Sequence, residues 1–293
     1  MRVQMNYLLQ APEERWRTSV KLPASKSISN RALILNALSY SPFEVENLSD
    51  CDDTNSMTRV LNSNDRDFDI GAAGTTMRFL TAFLSKVVGE WTLTGSERMK
   101  KRPIKVLVEA LNSIGANVEY MENEGFPPLR IKGCALRGGE IALPGDVSSQ
   151  YISALLMIAP LTEQGLTLRL EGKIISRPYI ELTLGLMAQY GVRASWIGNT
   201  IKVEPQEYQP VPFKVESDWS AASYWYGMMV LTDRAEIELL GLFKKSLQGD
   251  SAGARLFAQL GVATTFTDRG VRLRRNGERP VKLVYDFVGQ PDL

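Results

Sequence analysis

Apolar positions in this chain alternate over short runs and recur every third or fourth residue over longer ones, and the switching itself repeats. Trp91-Thr-Leu-Thr-Gly, Leu166-Thr-Leu-Arg-Leu-Glu-Gly and Ala235-Glu-Ile-Glu-Leu-Leu-Gly each alternate as a strand does and end at Gly. The spacing predicts a helix after each, over 106–114, 179–190 and 252–260, with Gly115, Gly191 and Gly261 where C-capping glycines belong. Strand pairs then close each unit: 117–120 with 129–132, 193–197 with 200–203, and 263–267 with 271–274. Gly198-Asn199 and Asp268-Arg269-Gly270 suit the hairpin turns. The units open at Ile70, Ile141, Phe213 and Leu283, each with a short strand, a turn of small residues and an apolar helix start. These openings are 71, 72 and 70 residues apart, and a shorter version opens at Val20. The predicted class is α/β, built from repeated β-α-β-α-β-β units that must pack on one another to bury both sheet and helices.

The most informative opening is the short one, residues 23–35. A strand over 19–22 leads through a small-residue turn into a helix starting at Ser25 or Ser27. Ile28, Ala32 and Leu35 would face a core, while Ser27, Asn30 and Arg31 share another face, with Lys26 in the first turn. A helix N-terminus with unpaired N–H groups, hydroxyls and two cations suits phosphate or carboxylate. The bland alternative is that the serines are only N-caps and Lys26 and Arg31 face solvent. Similar turns recur. Gly71-Ala-Ala-Gly-Thr-Thr, with Gly74, Thr75 and Arg78, would let backbone N–H groups approach an anion, or is simply a helix-packing glycine pair. Ser148, Ser149 and Gln150 place two hydroxyls and an amide at another helix start. Arg102 and Arg177 each precede a proline entering a helix and suit planar oxyanions, whereas Lys100, Lys101 and Lys105 read as a solvated face. Asp218 and Asp292 occupy turn positions of two unit starts, each a general base or an N-cap.

Composition narrows the chemistry further. At 293 residues the length suits about two domains. A net charge of +1 argues against a nucleic-acid or anionic-membrane partner. No apolar run is long enough to span a bilayer, and the first residues carry no signal-peptide stretch, which points to the cytoplasm. Cys51 and Cys134 match no metal or redox spacing, so neither metal nor cofactor is expected. The chain contains 0 histidines, which removes the commonest general base and every His-dependent triad. Acid–base work falls to carboxylate, lysine, tyrosine or serine. The inventory favours an anionic substrate and a reaction driven by proton transfer and electrostatics.

The segments SKSISNRA, GAAGTTMR, LTGSERMKKRPI, PGDVSSQYISALLM, ISRPYIELTL, ESDWSAASY, SLQGD and the terminal PDL, in this order, resemble the 5-enolpyruvylshikimate-3-phosphate synthases, a carboxyvinyl transferase family. The resemblance implies a two-lobed enolpyruvyl transferase-like fold, with residues 22–215 as a first lobe of three units and 1–21 plus 216–293 as part of a second. It implies that Lys26, Ser27, Arg31, Ser148, Ser149, Gln150, Ser176, Tyr179 and Asp292 bind shikimate 3-phosphate. Lys26, Gly74, Thr75, Arg102 and Gln150 would hold phosphoenolpyruvate, with Asp292 and Lys26 catalytic. The implied reaction adds the 5-hydroxyl of shikimate 3-phosphate to the enolpyruvyl double bond and then eliminates phosphate. No cofactor is implied, and the family protein is expected to be a monomer when full length. Ala72 and Phe79 stand where the family usually carries Asn and Pro, which bears on the fine geometry near phosphoenolpyruvate and on glyphosate sensitivity. Family members continue well beyond the position of Leu293, so the second lobe is expected to be incomplete here and turnover feeble. The alternatives are a non-catalytic module that still holds shikimate 3-phosphate, a fragment without biology of its own, or a UDP-N-acetylglucosamine carboxyvinyl transferase. The last pairs its lysine with Asn where Ser27 stands.

Overall fold

The computed structural model describes residues 8, 14–277, 280, 282–290 and 292–293. Pro291 and most of the first thirteen residues expected in the second lobe lie outside them. The chain runs β1 (Trp16–Lys21), α1 (Lys26–Leu38), β2 (Val45–Glu46), α2 (Asp52–Leu61), and then its first complete unit. That unit is β3 (Asp67–Asp69), α3 (Gly74–Lys86), β4 (Gly89–Thr94), α4 (Lys105–Ser113), β5 (Asn117–Tyr120) and β6 (Leu129–Gly133). The next repeats it as β7 (Gly139–Pro144), α5 (Ser149–Ile158), β8 (Leu166–Glu171), α6 (Arg177–Gln189), β9 (Ser195–Ile197) and β10 (Thr200–Val203). The last is β11 (Phe213–Lys214), α7 (Trp219–Leu231), β12 (Ala235–Leu240), α8 (Gly253–Ala258), β13 (Val262–Phe266) and β14 (Gly270–Arg275).

Three four-stranded sheets share one plan, with orders β3-β4-β6-β5, β7-β8-β10-β9 and β1-β12-β14-β13. In each, a parallel pair is extended by the antiparallel closing hairpin. The hairpin follows a helix that ends at Gly115, Gly191 or Gly261, whose φ values of 102°, 86° and 78° only glycine adopts freely. The third sheet corrects the sequence reading. Its opening strand is β1, in register from Trp16↔Ala235 to Lys21↔Leu240, and not the strand at Phe213. The Phe213 strand has only two residues and pairs instead with β2, through Phe213↔Val45 and Lys214↔Glu46. The larger body holds two complete units and a reduced third that includes the β2–β11 pair. The segment from Leu283, expected to open a further unit with a strand, forms none among its described residues and instead makes a single helical turn at Phe287–Gly289.

Two apolar cores result. One gathers buried side chains between Ala24 and Val215; the other unites Leu22 with side chains between Trp219 and Leu273. The chain crosses between them twice, side by side. Ser25 N–H donates to Glu216 O, Asp218 N–H to Pro23 O, and Ala24 bridges Ser217. No helix among the described residues is long and apolar enough to cross a membrane.

Candidate active site

Four helix starts converge beside this crossing. Ser25 caps α1 by accepting from Ile28 N–H, and Ser148 caps α5 by accepting from Gln150 N–H at 3.3 Å. At α3 the residue before the helix is Ala73, which has no capping group, so Asp53 from α2 caps it, accepting from Thr75 N–H at 2.8 Å. At α6 the preceding residue is Ser176, held in the left-handed region at φ 52°, a conformation that costs a non-glycine residue about 1 kcal/mol or more.

A cavity of about 230 Å³ is lined by Lys26, Ser27, Arg31, Thr75, Ser148, Ser149, Gln150, Ser176, Tyr179 and Asp292. Every one of these was singled out from the sequence. The other two, Gly74 and Arg102, adjoin it: the Arg102 guanidinium occupies the space where a Cβ on Gly74 would stand. Gly74 is therefore a close-approach glycine, packed on a guanidinium rather than on another helix. Gly71, at φ 59° with open space beyond, is a turn glycine. The loop is less free for an anion than its sequence suggests, since Gly71 N–H already donates to Asp69 and Thr75 N–H to Asp53.

The two cations of α1 have different environments. Lys26 is exposed at the cavity, as its sequence position implies. Arg31 is buried, against the alternative of a solvent-facing cation. Its Nε donates to Thr183 Oγ1 at 2.7 Å, Nη1 to Ser27 O at 2.9 Å, and Nη2 to Ser153 Oγ at 3.1 Å and Tyr179 O at 3.5 Å. These bonds tie α1 to α5 and α6 and leave one Nη1 N–H for the cavity. Burial pulls its pKa down to about 10, with the nearby Tyr179 opposing. Ser153 and Thr183, absent from the sequence reading, are the residues that hold it. The signal was present, as a hydroxyl among the apolar positions of each helix's buried face.

A second set of bonds, made by Arg78 and Tyr151, fixes the backbone on either side of the Gly74–Arg102 contact. Arg78 donates through Nη1 to Gly74 O at 2.9 Å and through Nη2 to Pro103 O at 3.2 Å, and Tyr151 O–H donates to the same Pro103 carbonyl. Burial first, and then the Arg102 charge, lower the Arg78 pKa. Gln150 Nε2 reaches across to Thr75 Oγ1 at 3.2 Å, joining α5 to α3. Arg177 does not join the cluster: it stacks on Trp196, 4.0 Å from the ring centroid, and pairs with Glu181 at 2.9 Å. A neighbouring aromatic face competes for a guanidinium as well as an oxyanion does. Lys100 and Lys105 pair with surface glutamates, the solvated arrangement expected of them.

Of the two candidate carboxylates, Asp218 is an N-cap, accepting from Ser220 N–H at 2.9 Å. Asp292 lines the cavity and accepts from the Tyr179 hydroxyl. Burial and that bond hold the Tyr179 phenol well above its ordinary range, so it stays a donor. A carboxylate oriented by a phenol, facing hydroxyls and a lysine, can accept a proton from a bound hydroxyl group.

The family description EPSP synthase (3-phosphoshikimate 1-carboxyvinyltransferase) matches residues 11–65 and 61–285. A 3-phosphoshikimate 1-carboxyvinyltransferase of Bacteroides fragilis is 58% identical over 290 residues, covering 99% of this chain and 70% of that protein. The chain belongs to the EPSP synthase family. The 3-phosphoshikimate 1-carboxyvinyltransferase of Aliivibrio fischeri is 38% identical over 326 residues, with 98% and 74% covered. The EPSP synthase structure from Acinetobacter baumannii superposes with a TM-score of 0.80 at 18% identity, covering 96% of this chain and 70% of that one, and shares the fold. By family the chain is a carboxyvinyl transferase, and it spans 70% of its Bacteroides relatives' length.

Proposed function

We propose that the cavity binds shikimate 3-phosphate and that the Gly74–Arg102 corner beside it takes phosphoenolpyruvate. The supporting observation is the convergence in one cavity of Lys26, Ser27, Ser148, Ser149, Gln150, Ser176, Tyr179 and Asp292 from separate elements. Lys26 and the helix starts carry the positive charge that a phosphate requires, and the hydroxyls and the Gln150 amide supply further donors. Arg31 contributes its remaining N–H and sets the helix positions. Across the corner, Gly74 N–H, Arg102 and the Thr75–Gln150 pair face the second substrate.

In the family reaction, the 5-hydroxyl oxygen bonds to C2 of phosphoenolpyruvate while the methylene carbon gains a proton. The adduct then loses phosphate and a proton, which restores the double bond. Asp292 takes the hydroxyl proton, with Tyr179 holding its carboxylate, and Lys26 balances the charge on both substrates. Cys51 and Cys134 lie outside the cavity, which favours this reading over the UDP-N-acetylglucosamine reaction, whose enzymes use a loop cysteine.

Calorimetric titration of the chain with shikimate 3-phosphate, beside a Lys26→Ala variant, tests the assignment. Lys26 is exposed and its loss breaks no bond of the fold, whereas Arg31→Ala would also untie three helices. The expected result is saturable binding that Lys26→Ala weakens about tenfold or more, the scale of one charge-assisted contact. Absence of binding by the parent chain overturns the assignment.

A further inference from the structure

A second cavity, of about 570 Å³, lies where the two bodies meet and shares no lining residue with the candidate active site. The two are nonetheless close in the chain, since Lys26 and Ser27 line one and Ile28 lines the other. Leu186, Phe213, Phe243 and Leu247 make the walls of the second cavity apolar. Glu216 brings a negative charge and Lys214 and Lys245 bring positive ones, of which Lys214 pairs with Glu46 at 3.9 Å.

Glu216 is the distinctive group. Its Oε1 accepts from Ser246 Oγ and from Gln248 Nε2, while Oε2 accepts nothing, and no cation pairs with this carboxylate among the described residues. Burial holds its pKa above the ordinary carboxylate range. A half-buried carboxylate without a counter-charge is costly, and an ammonium group placed on its open oxygen relieves that cost. Lys245 makes no ion pair among the described residues and is available to an anion. Phe243 is 45% exposed at the cavity, an aromatic surface that an apolar group would cover.

A lone anion would meet Glu216 and a lone cation would meet Lys245, so the complementary ligand carries both charges and an apolar body. We propose that this cavity binds a free α-amino acid with a large apolar side chain. Its ammonium would sit on Glu216, its carboxylate on Lys245, and its side chain between Phe213, Phe243, Leu186 and Leu247. The volume lies within the range of small-molecule sites. The inference is independent of the substrate reading, because the two cavities have no residue in common.

Calorimetric titration of the whole chain with L-phenylalanine and L-leucine tests it, beside N-acetyl-L-phenylalanine, which lacks the ammonium. Glu216→Gln keeps both hydrogen bonds, because the amide oxygen still accepts them, and Phe243→Ala alters an exposed side chain. Both variants are first matched to the parent by circular dichroism and thermal melting. The expected result is saturable 1:1 binding of the free amino acids, weakened about tenfold by Glu216→Gln and several-fold by Phe243→Ala. The acetylated compound should not bind. No saturable binding up to about 10 mM, equal binding of the acetylated compound, or indifference to both substitutions each overturns the proposal.

Discussion

Asp250 is buried to 4% exposure, accepts from the Ser220 hydroxyl, and lies within electrostatic reach of Asp218 and Asp292. Burial is the main cause that lifts its pKa, and the two neighbouring carboxylates add to it. A carboxyl whose pKa is higher in the folded than in the unfolded state favours folding most while protonated. That contribution is lost as pH rises through the raised pKa. Asp250→Asn keeps an acceptor for Ser220 and removes the charge. Relative to the parent, its melting temperature should be unchanged at about pH 3 and higher at about pH 7, where the parent carries an ionised, desolvated carboxylate. A melting-temperature difference that does not vary with pH would refute this account. Arg31 illustrates the other side of burial. Its bonds to neutral oxygens on three helices make it a structural cation at the edge of a binding cavity, a double role that no residue-level pattern in the chain distinguishes.

Among the elements, helix starts explain most of the site, and most of them were legible. Ser25, Ser148 and Asp218 are the capping residue types that their sequence positions announce. Asp218 couples cap and burial, since desolvation raises its pKa while the N–H groups of the first turn of α7 lower it. Asp218→Ala should cost about 1 kcal/mol in urea denaturation, the usual loss of a cap. Asp218→Ser, a neutral cap, should match or exceed the parent; a serine variant as unstable as the alanine one would show that the carboxylate charge, not the cap, matters. The α3 start was legible but its cap was not, because the cap comes from Asp53 on another helix. The Phe213 strand was misjudged for a related reason. Local alternation marks a segment as able to pair, but the partner is chosen by the sheet it can reach, here β2 rather than β12.

At the scale of the molecule, two cores joined by a double crossing place α1, α5 and α6 of one body against Asp292, which follows the other. Among the described residues a single carboxylate, that of Asp292, lines the cavity so formed. The proposed reaction needs a proton removed from a hydroxyl and one delivered to a methylene carbon, so two groups of suitable affinity are required. Phosphate release from phosphoenolpyruvate with shikimate 3-phosphate should therefore be feeble for this chain even where shikimate 3-phosphate binds; turnover at a rate ordinary for enzymes would sink the prediction. The family resemblance supplied Ser176, Tyr179 and the roles of the cavity residues; the repeat, most helices and hairpins, and the C-capping glycines could be read from the pattern of the chain alone. Each of these last depends on spacing within a few residues or on the recurrence of the same pattern about seventy residues later. Three things only the tertiary structure decided: that β1 pairs with β12 across 219 positions, that Arg31 is turned inward onto Ser153 and Thr183, and that Arg177 stacks on Trp196 instead of joining the anion site. Each is a choice among competing partners far apart in the chain, and burial and geometry, not local pattern, determine which partner wins.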